Sequence, residues 1–335
     1  MHIGRSYKLS DFLFWTRRKI YILVILGTVP VILYHVLGLR WLVVPWTVVS
    51  ILGTATAFIV GFKNTQTYSR TRDAQAIWTN IANTSKAWAI MCRDYFQDPE
   101  LVRTLVYRHF AWLTALRYQL REERVWEGAD RSHNAEYQRY YEIPERVTAF
   151  KDEMLKYIPE KELAYISGTR DKASQLLALQ SQTMRTAYEG QAAMPSQFVE
   201  IQRALNNLFS QQGQCQSFKE TPYPRQYSII NTIFVRIFRL LLPFGMLQEV
   251  DKLNSLAGGL MKGNMIWLVI PFSVIISWMY TSLEQVGEST ENPFEGSAND
   301  VPISQICREI EIDLREILGE TALPVPLKPQ NDIVV

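Results

Sequence analysis

Cysteine is scarce in this chain, with Cys92, Cys215 and Cys307 spread over 335 residues. An odd number at such distances offers neither a disulfide framework nor a paired-thiol metal site, and is expected of buried or free thiols in a reducing compartment. The four histidines, His2, His35, His109 and His133, have no second ligand at helical spacing, so each is expected to pack or face solvent rather than catalyse. There is no phosphate-cradling GxxxxGK(S/T), no GxGxxG after a strand, no HExxH and no GxSxG. An enzyme is therefore not expected, and no cofactor or metal is implied. A formal net charge of +2, with no basic run interleaved with aromatics, gives nucleic acid nothing to hold. Strand alternation and internal repeats are missing too. No small-residue cleavage site follows the first apolar run, which is expected to stay as an anchor.

What the chain does have is apolar residues, 47% of the total, and they are unevenly placed. Residues 21–62 and 228–283 are nearly free of charge, whereas the middle carries most of the Lys, Arg, Asp and Glu. A mean hydropathy near zero thus averages over two solvents. Crossing a hydrocarbon core of ~30 Å takes a helix of about 20 apolar residues, and 21–37, 41–62, 228–247 and 265–283 approach that length. Gly38, Leu39 and Arg40 alone separate the first two, which predicts a tight helical hairpin; a polar loop around 258–263 separates the second pair. Trp41, Trp46, Trp267, Trp278 and Tyr280 fall near the ends, as interfacial aromatics do. Arg5, Lys8, Arg17, Arg18 and Lys19 precede the first span and Lys63, Arg70 and Arg72 follow the second, against Arg40, Lys252 and Lys262 in the outer loops. That bias predicts cytoplasmic termini and a cytoplasmic middle.

The expected plan is all-α: a cytosolic segment (1–20), two transmembrane helices (21–62), a cytosolic helical region (63–227), two further transmembrane helices (228–283), a cytosolic segment with a helix (284–323) and a Pro-containing tail (324–335), extended or disordered. In the middle, Ile77, Trp78, Ile81, Trp88, Met91, Cys92 and Tyr95 form one apolar stripe on a helix continuing from the second span. Asp98, Pro99 and Glu100 open another helix, and helical patterns cover 101–120, 145–157, 172–188 and 196–212. The polar stretch 128–137 reads as a loop. Ile303, Ile306, Cys307, Ile310, Leu314 and Ile317 mark a last amphipathic helix.

Two features of the spans bear on function. In the second, Gly53, Ala57 and Gly61 form a smooth face suited to close helix approach, and the neighbouring stripe is Thr54, Phe58 and Phe62. Those phenylalanines either pack against helices or lipid, or ring an axis as an apolar constriction that gates by dewetting. In the third, Arg236 and Arg239 either mark an ion path or snorkel to the inner interface.

Particular motifs add a resemblance. Gly61-Phe62-Lys63-Asn64 with Tyr68 and Arg70, Leu242-Pro243-Phe244-Gly245, and Glu291-Asn292-Pro293-Phe294 followed by Asn299-Asp300-Val301-Pro302 and Cys307-Arg308-Glu309-Ile310-Glu311 stand in order, each placed relative to a span. Together they resemble the signatures of bacterial members of the bestrophin family. The resemblance implies a homopentamer in the bacterial inner membrane, with five second spans lining a neck and a second constriction at the cytosolic mouth. It places the neck at Thr54, Phe58 and Phe62, where Thr54 stands in for an apolar residue and makes the outer neck easier to wet. The cytosolic aperture falls at Val199, with Phe198 as the alternative. Eukaryotic relatives bind calcium with an acidic cluster after Asn-Pro-Phe; only Asp300 and Asn292 remain of it here, too few oxygens for a calcium site. The implied function is passive flow of monovalent ions, with chloride or a similar anion favoured over a cation. Two other classes stay open: a secondary transporter, suggested by Pro30, Pro45, Pro243 and Pro271, one per span, and a membrane-tethered scaffold.

Overall fold

The computed structural model describes residues 1–4, 8–128, 138–190, 195–255 and 262–335. Arg5, His133 and most of the two polar stretches expected as loops, 129–137 and 258–261, lie outside the described residues. Those described form helices, turns and two isolated bridges, with no strand among them. In chain order the α-helices are α1 (Leu9–Val31), α2 (Trp46–Tyr95), α3 (Pro99–Arg121), α4 (Pro144–Val147), α5 (Phe150–Met154), α6 (Glu160–Ser167), α7 (Lys172–Gly190), α8 (Pro195–Glu220), α9 (Arg225–Lys252), α10 (Val269–Ser289) and α11 (Ile303–Ile317). They cluster into two compact units: one holds Met1–Gly4, Arg70–Pro222 and Asn292–Val335, the other Arg5–Ser69 and Tyr223–Glu291.

The second of these units is the apolar one. Among the described residues, four segments are long and apolar enough to cross a membrane: Leu9–Val36, Trp46–Tyr95, Arg225–Ser255 and Met265–Ser289. Helix α1 starts a dozen residues ahead of the expected span, because Asp11, Arg17, Arg18 and Lys19 interrupt apolarity without interrupting helicity. It runs into a π-helical turn, Ile32–Val36, just after Pro30. The second span begins at Trp46 rather than 41. Pro45 keeps its predecessor out of the helical region, and its carbonyl accepts from Val48 and Val49 at 3.0 and 3.4 Å. The connection between the first two helices is therefore longer than Gly38, Leu39 and Arg40. Pro271 sits in the first turn of α10 and Pro45 just ahead of α2, so of the four span prolines Pro30 and Pro243 stand inside helices, and α9 continues through the latter. The core joins Val31, Val49, Phe238, Leu242, Leu247, Ile266 and Val269.

The first unit packs around aromatics. Trp78 and Trp88 of the α2 stripe and Trp112 of α3 are fully buried. Each takes up to ~200 Å² out of water, an upper bound of about 5 kcal/mol at ~25 cal/mol per Å². His109 lies between Trp88 and Trp112, with ring centroids 5.0 and 4.9 Å away, and its Nε2 meets Ser85 Oγ at 2.8 Å. Asp98 caps α3, accepting from the Glu100 amide at 3.0 Å. The helix expected over 145–157 breaks into α4 and α5. Thr148 is extended between them, and its freed carbonyl accepts the Tyr118 hydroxyl at 2.9 Å. The tail is extended and folded back: the Gln305 amide donates to Val335 O and the Ile3 amide to Asp332 O, while Ile333 and Val334 are buried.

Candidate functional site

The amino-terminal half of α2 presents two faces. Gly53 is buried, and Tyr280 of α10 donates to its carbonyl at 3.1 Å. A Cβ at position 53 would stand 2.8 Å from the Phe238 ring, so glycine is what lets α9 come this close. One residue round the helix, Thr54, Ala57, Phe58, Gly61, Phe62 and Thr65 are exposed. Phe58 and Phe62 show 68% and 70% of their surface. Of the small face, then, Gly53 packs within the unit, whereas Ala57 and Gly61 join the open stripe, and nothing lies within 4 Å of a Cβ added at Gly61. The stripe borders a concavity of about 740 Å³, completed by Trp46, Phe238, Leu242, Ile276 and Tyr280. Its walls are apolar. The Thr54 hydroxyl donates to Ser50 O at 3.0 Å and that of Thr65 to Gly61 O at 3.0 Å, so both keep only acceptor capacity toward the open side.

The helix is pinned by charge just past this stripe. Lys63, one residue after Phe62, turns inward and meets Glu291 at 3.2 Å, both side chains 2% exposed, and reaches Ser228 Oγ at 3.3 Å. Asn64 donates to Leu283 O at 3.1 Å, and Gly287 leaves it the room to do so. The Gly-Phe-Lys-Asn run therefore divides its labour: Gly61 and Phe62 face outward, Lys63 and Asn64 fasten α2 to α9 and α10. Within Leu-Pro-Phe-Gly, Pro243 is buried and Phe244 partly so. A Cβ at Gly245 would stand 2.6 Å from Val49 Cγ2.

The remaining motif residues, Tyr68 apart, belong to the other unit. Arg70 donates to Thr221 O at 2.8 Å, while Phe218 O lies 3.4 Å away; Tyr68, at the edge of the membrane-spanning unit, is exposed. Asp300 is a hub. Its Oδ1 accepts from the Phe294 and Val301 amides at 2.8 and 2.7 Å, and its Oδ2 from the Gly296 amide at 2.7 Å and Arg121 Nη1 at 3.1 Å. Phe294, fully buried, holds φ +74° and Gly296 φ +88°, a backbone path that Asp300 secures. Asn292 and Pro293 lead into this loop. With both oxygens engaged, Asp300 acts as a staple, and among the described residues no group of three or more His, Cys, Asp or Glu is arranged to hold a metal ion. Neighbouring Glu295 is buried, accepts from the Gly128 amide at 3.2 Å and is pushed up to about 8, chiefly by burial and then by Asp300.

The two candidates for the cytosolic aperture part company. Val199 on α8 is half exposed, whereas Phe198 packs on the core with its ring stacked on Tyr188 at 4.6 Å. Sequence reasoning missed the Lys63–Glu291 pair, the Arg121–Asp300 pair and the far wall of the concavity; Glu291 alone had a signal, as an acidic residue about two turns past the apolar span ending at 283.

Comparison with known proteins places this arrangement. The model of the bacterial and fungal bestrophin proteins matches residues 18–316. The voltage-dependent anion channel-forming protein YneE of Escherichia coli strain K12 is 24% identical over 299 residues, 89% of this chain and 84% of that protein. RSc3414 of Ralstonia nicotianae, which carries the same description, is 22% identical over 280 residues, 82% of this chain and 78% of its own. Among solved structures, a bacterial bestrophin homologue from Klebsiella pneumoniae superposes with a TM-score of 0.73 at 22% identity, covering 90% of this chain and 97% of that one.

Proposed function

This chain belongs to the bacterial and fungal bestrophin family, and on that footing we propose that it is a pore-forming channel for monovalent anions, chloride foremost. Five copies surround one axis in the bacterial inner membrane, with termini and helical unit on the cytoplasmic side. Thr54, Phe58 and Phe62 form three rings of a neck, and Val199, rather than Phe198, lines the cytosolic aperture. Closed cyclic symmetry suits such a pore because one self-repeating interface serves every subunit.

One observation carries the reading: two phenylalanines on consecutive turns of a spanning helix stand about 70% exposed beside an apolar concavity, in a chain that fully buries Trp78, Trp88 and Trp112. Outward-facing aromatics on a smooth helix are what a hydrophobic constriction needs. The curated relatives named for anion channel formation support the sign of the ion.

The test is reconstitution in a planar bilayer under asymmetric KCl. Currents reversing near the chloride potential, and a rise in conductance or open probability in Phe58→Ala/Phe62→Ala, are expected. Reversal near the potassium potential makes it a cation channel on the same fold. Currents unchanged in the double variant take the rings out of the pore, and a monomer or dimer in detergent with no current favours a transporter or scaffold.

A further inference from the structure

Arg236 and Arg239 play no part in the neck, and their surroundings suggest another task. Glu284 of α10 is buried and accepts from Thr232 of α9. Arg239, half-buried, lies within electrostatic reach of both Glu284 and Arg236, and Lys19 of α1 acts on the same carboxylate. Helix α1 is held against α10 at this level: Trp278 Nε1 donates to Thr16 Oγ1 at 3.0 Å, and the Phe12 and Trp278 rings lie 5.6 Å apart. One turn or less from Lys19, Arg18 is exposed and Arg17 stacks on Phe14 at 3.8 Å. Lys19 and Arg239, from two helices, thus both act on Glu284, with Glu288 beside it and Arg236 next to Arg239.

The setting is apolar. Arg236 is exposed between Ile233, Ile237 and Leu240, themselves open to the surroundings, while Tyr21, Ile22 and Ile25 continue the apolar surface on α1. Arg236 lies eight residues, about 12 Å of helix, beyond Ser228, where Lys63 and Glu291 are anchored. A guanidinium exposed among apolar side chains at that depth is costly unless an anion meets it, and Glu284 already lies within electrostatic reach of Arg239 and Lys19. A phosphodiester answers this need, since its oxygens take an arginine fork bidentately and its acyl chains cover the isoleucines.

We propose that Lys19, Arg236 and Arg239, flanked by Arg17 and Arg18, form a site for the headgroup of an anionic phospholipid from the leaflet at the inner ends of α1 and α9. Glu284 sets the strength of the site, because its negative charge lies within reach of Arg239 and Lys19 and subtracts from theirs. The inference rests on the membrane reading above but not on conduction or on five-fold assembly.

Native mass spectrometry of the detergent-purified protein, titrated with phosphatidylglycerol and with phosphatidylethanolamine of the same acyl chains, tests it without reading any current. Wild type should retain phosphatidylglycerol preferentially. Each cation near the headgroup is worth roughly fivefold in affinity, so Arg236→Gln/Arg239→Gln should weaken phosphatidylglycerol retention on the order of thirtyfold and leave phosphatidylethanolamine unchanged. Arg236→Gln alone, at an exposed position that folding does not need, should show about fivefold if the double variant fails to fold. Glu284→Gln should bind phosphatidylglycerol at least as tightly as wild type. Equal retention of the two lipids by wild type, wild-type retention by Arg236→Gln, or loss of retention in Glu284→Gln would each overturn the site.

Discussion

Replacing Asp300 by alanine should lower the stability of the helical unit more than any other single truncation of a motif residue. Three backbone amides, from Phe294, Gly296 and Val301, and the Arg121 guanidinium all give up their acceptor. One lost charge-assisted bond that leaves a buried group unmet costs about 1.5–3 kcal/mol, and breaking a buried ion pair costs about 3–5 kcal/mol. The two overlap, since they share one carboxylate. Arg121 does not regain a full partner, because Glu145 lies 3.6 Å from it and is taken by Arg117 at 3.0 Å. About 4 kcal/mol is expected, which for a unit of 150–250 residues corresponds to a fall in Tm of roughly 8–16 °C. Tryptophan fluorescence in detergent at one scan rate reads this, the rate being fixed because membrane proteins often unfold irreversibly. Asp300→Asn should lose about half as much, since its remaining carbonyl can still serve two amides. Arg121→Met should lose less than Asp300→Ala, because Asp300 keeps its three amides. A Tm for Asp300→Ala within about 2 °C of wild type, or a double variant whose loss equals the sum of the singles, would refute the staple.

His109 is held down to about 3 by burial, so the unfolded chain takes up a proton that the folded one refuses; stability should fall as pH drops below about 6.5, and His109→Gln should show a shallower loss of Tm between pH 7 and 5. Glu295 has the opposite sign: raised to about 8, it keeps its proton when folded, so the stabilisation is whole below about 4.5 and is lost progressively as pH rises to 8, and Glu295→Gln should flatten the decline of Tm between pH 5 and 8. Gly245→Ala should cost about 1–3 kcal/mol by forcing Val49 away, whereas Gly61→Ala, at an open mid-helix position, should raise Tm by a few degrees through helix propensity alone. Lys63→Met strands the buried Glu291, with Arg225 3.9 Å away as its remaining cation, and should cost about 3–5 kcal/mol, read as lost monodisperse protein in size-exclusion chromatography.

The spans could be seen in the sequence because the bilayer imposes a length, and the Thr54, Phe58 and Phe62 stripe because helical period fixes which residues share a face. Where helices start was less visible. Hydropathy ends α1 at Arg17 to Lys19, but a helix continues through charged residues as easily as through leucine, so it begins at Leu9. The break at Thr148 was hidden for the converse reason: nothing local forbids a helix there, and a tertiary partner, the Tyr118 hydroxyl, rewards the extended carbonyl. The motifs announced that Asp300 and Lys63 mattered without saying how. Their partners, Arg121 and Glu291, lie more than a hundred residues away, and pairing at that range is a property of the packed chain.

Cys92, Cys215 and Cys307 are all buried and unpaired, and burial pushes the Cys215 thiol up and that of Cys307 up to about 12. Since the thiolate is the reactive species, a polar maleimide or methanethiosulfonate meets a chain that is chemically mute. A thiol engineered at Thr54, Phe58 or Phe62 stands alone against that silence, so the whole stripe can be mapped for solvent access, position by position, without first stripping the native cysteines from the core they help to fill.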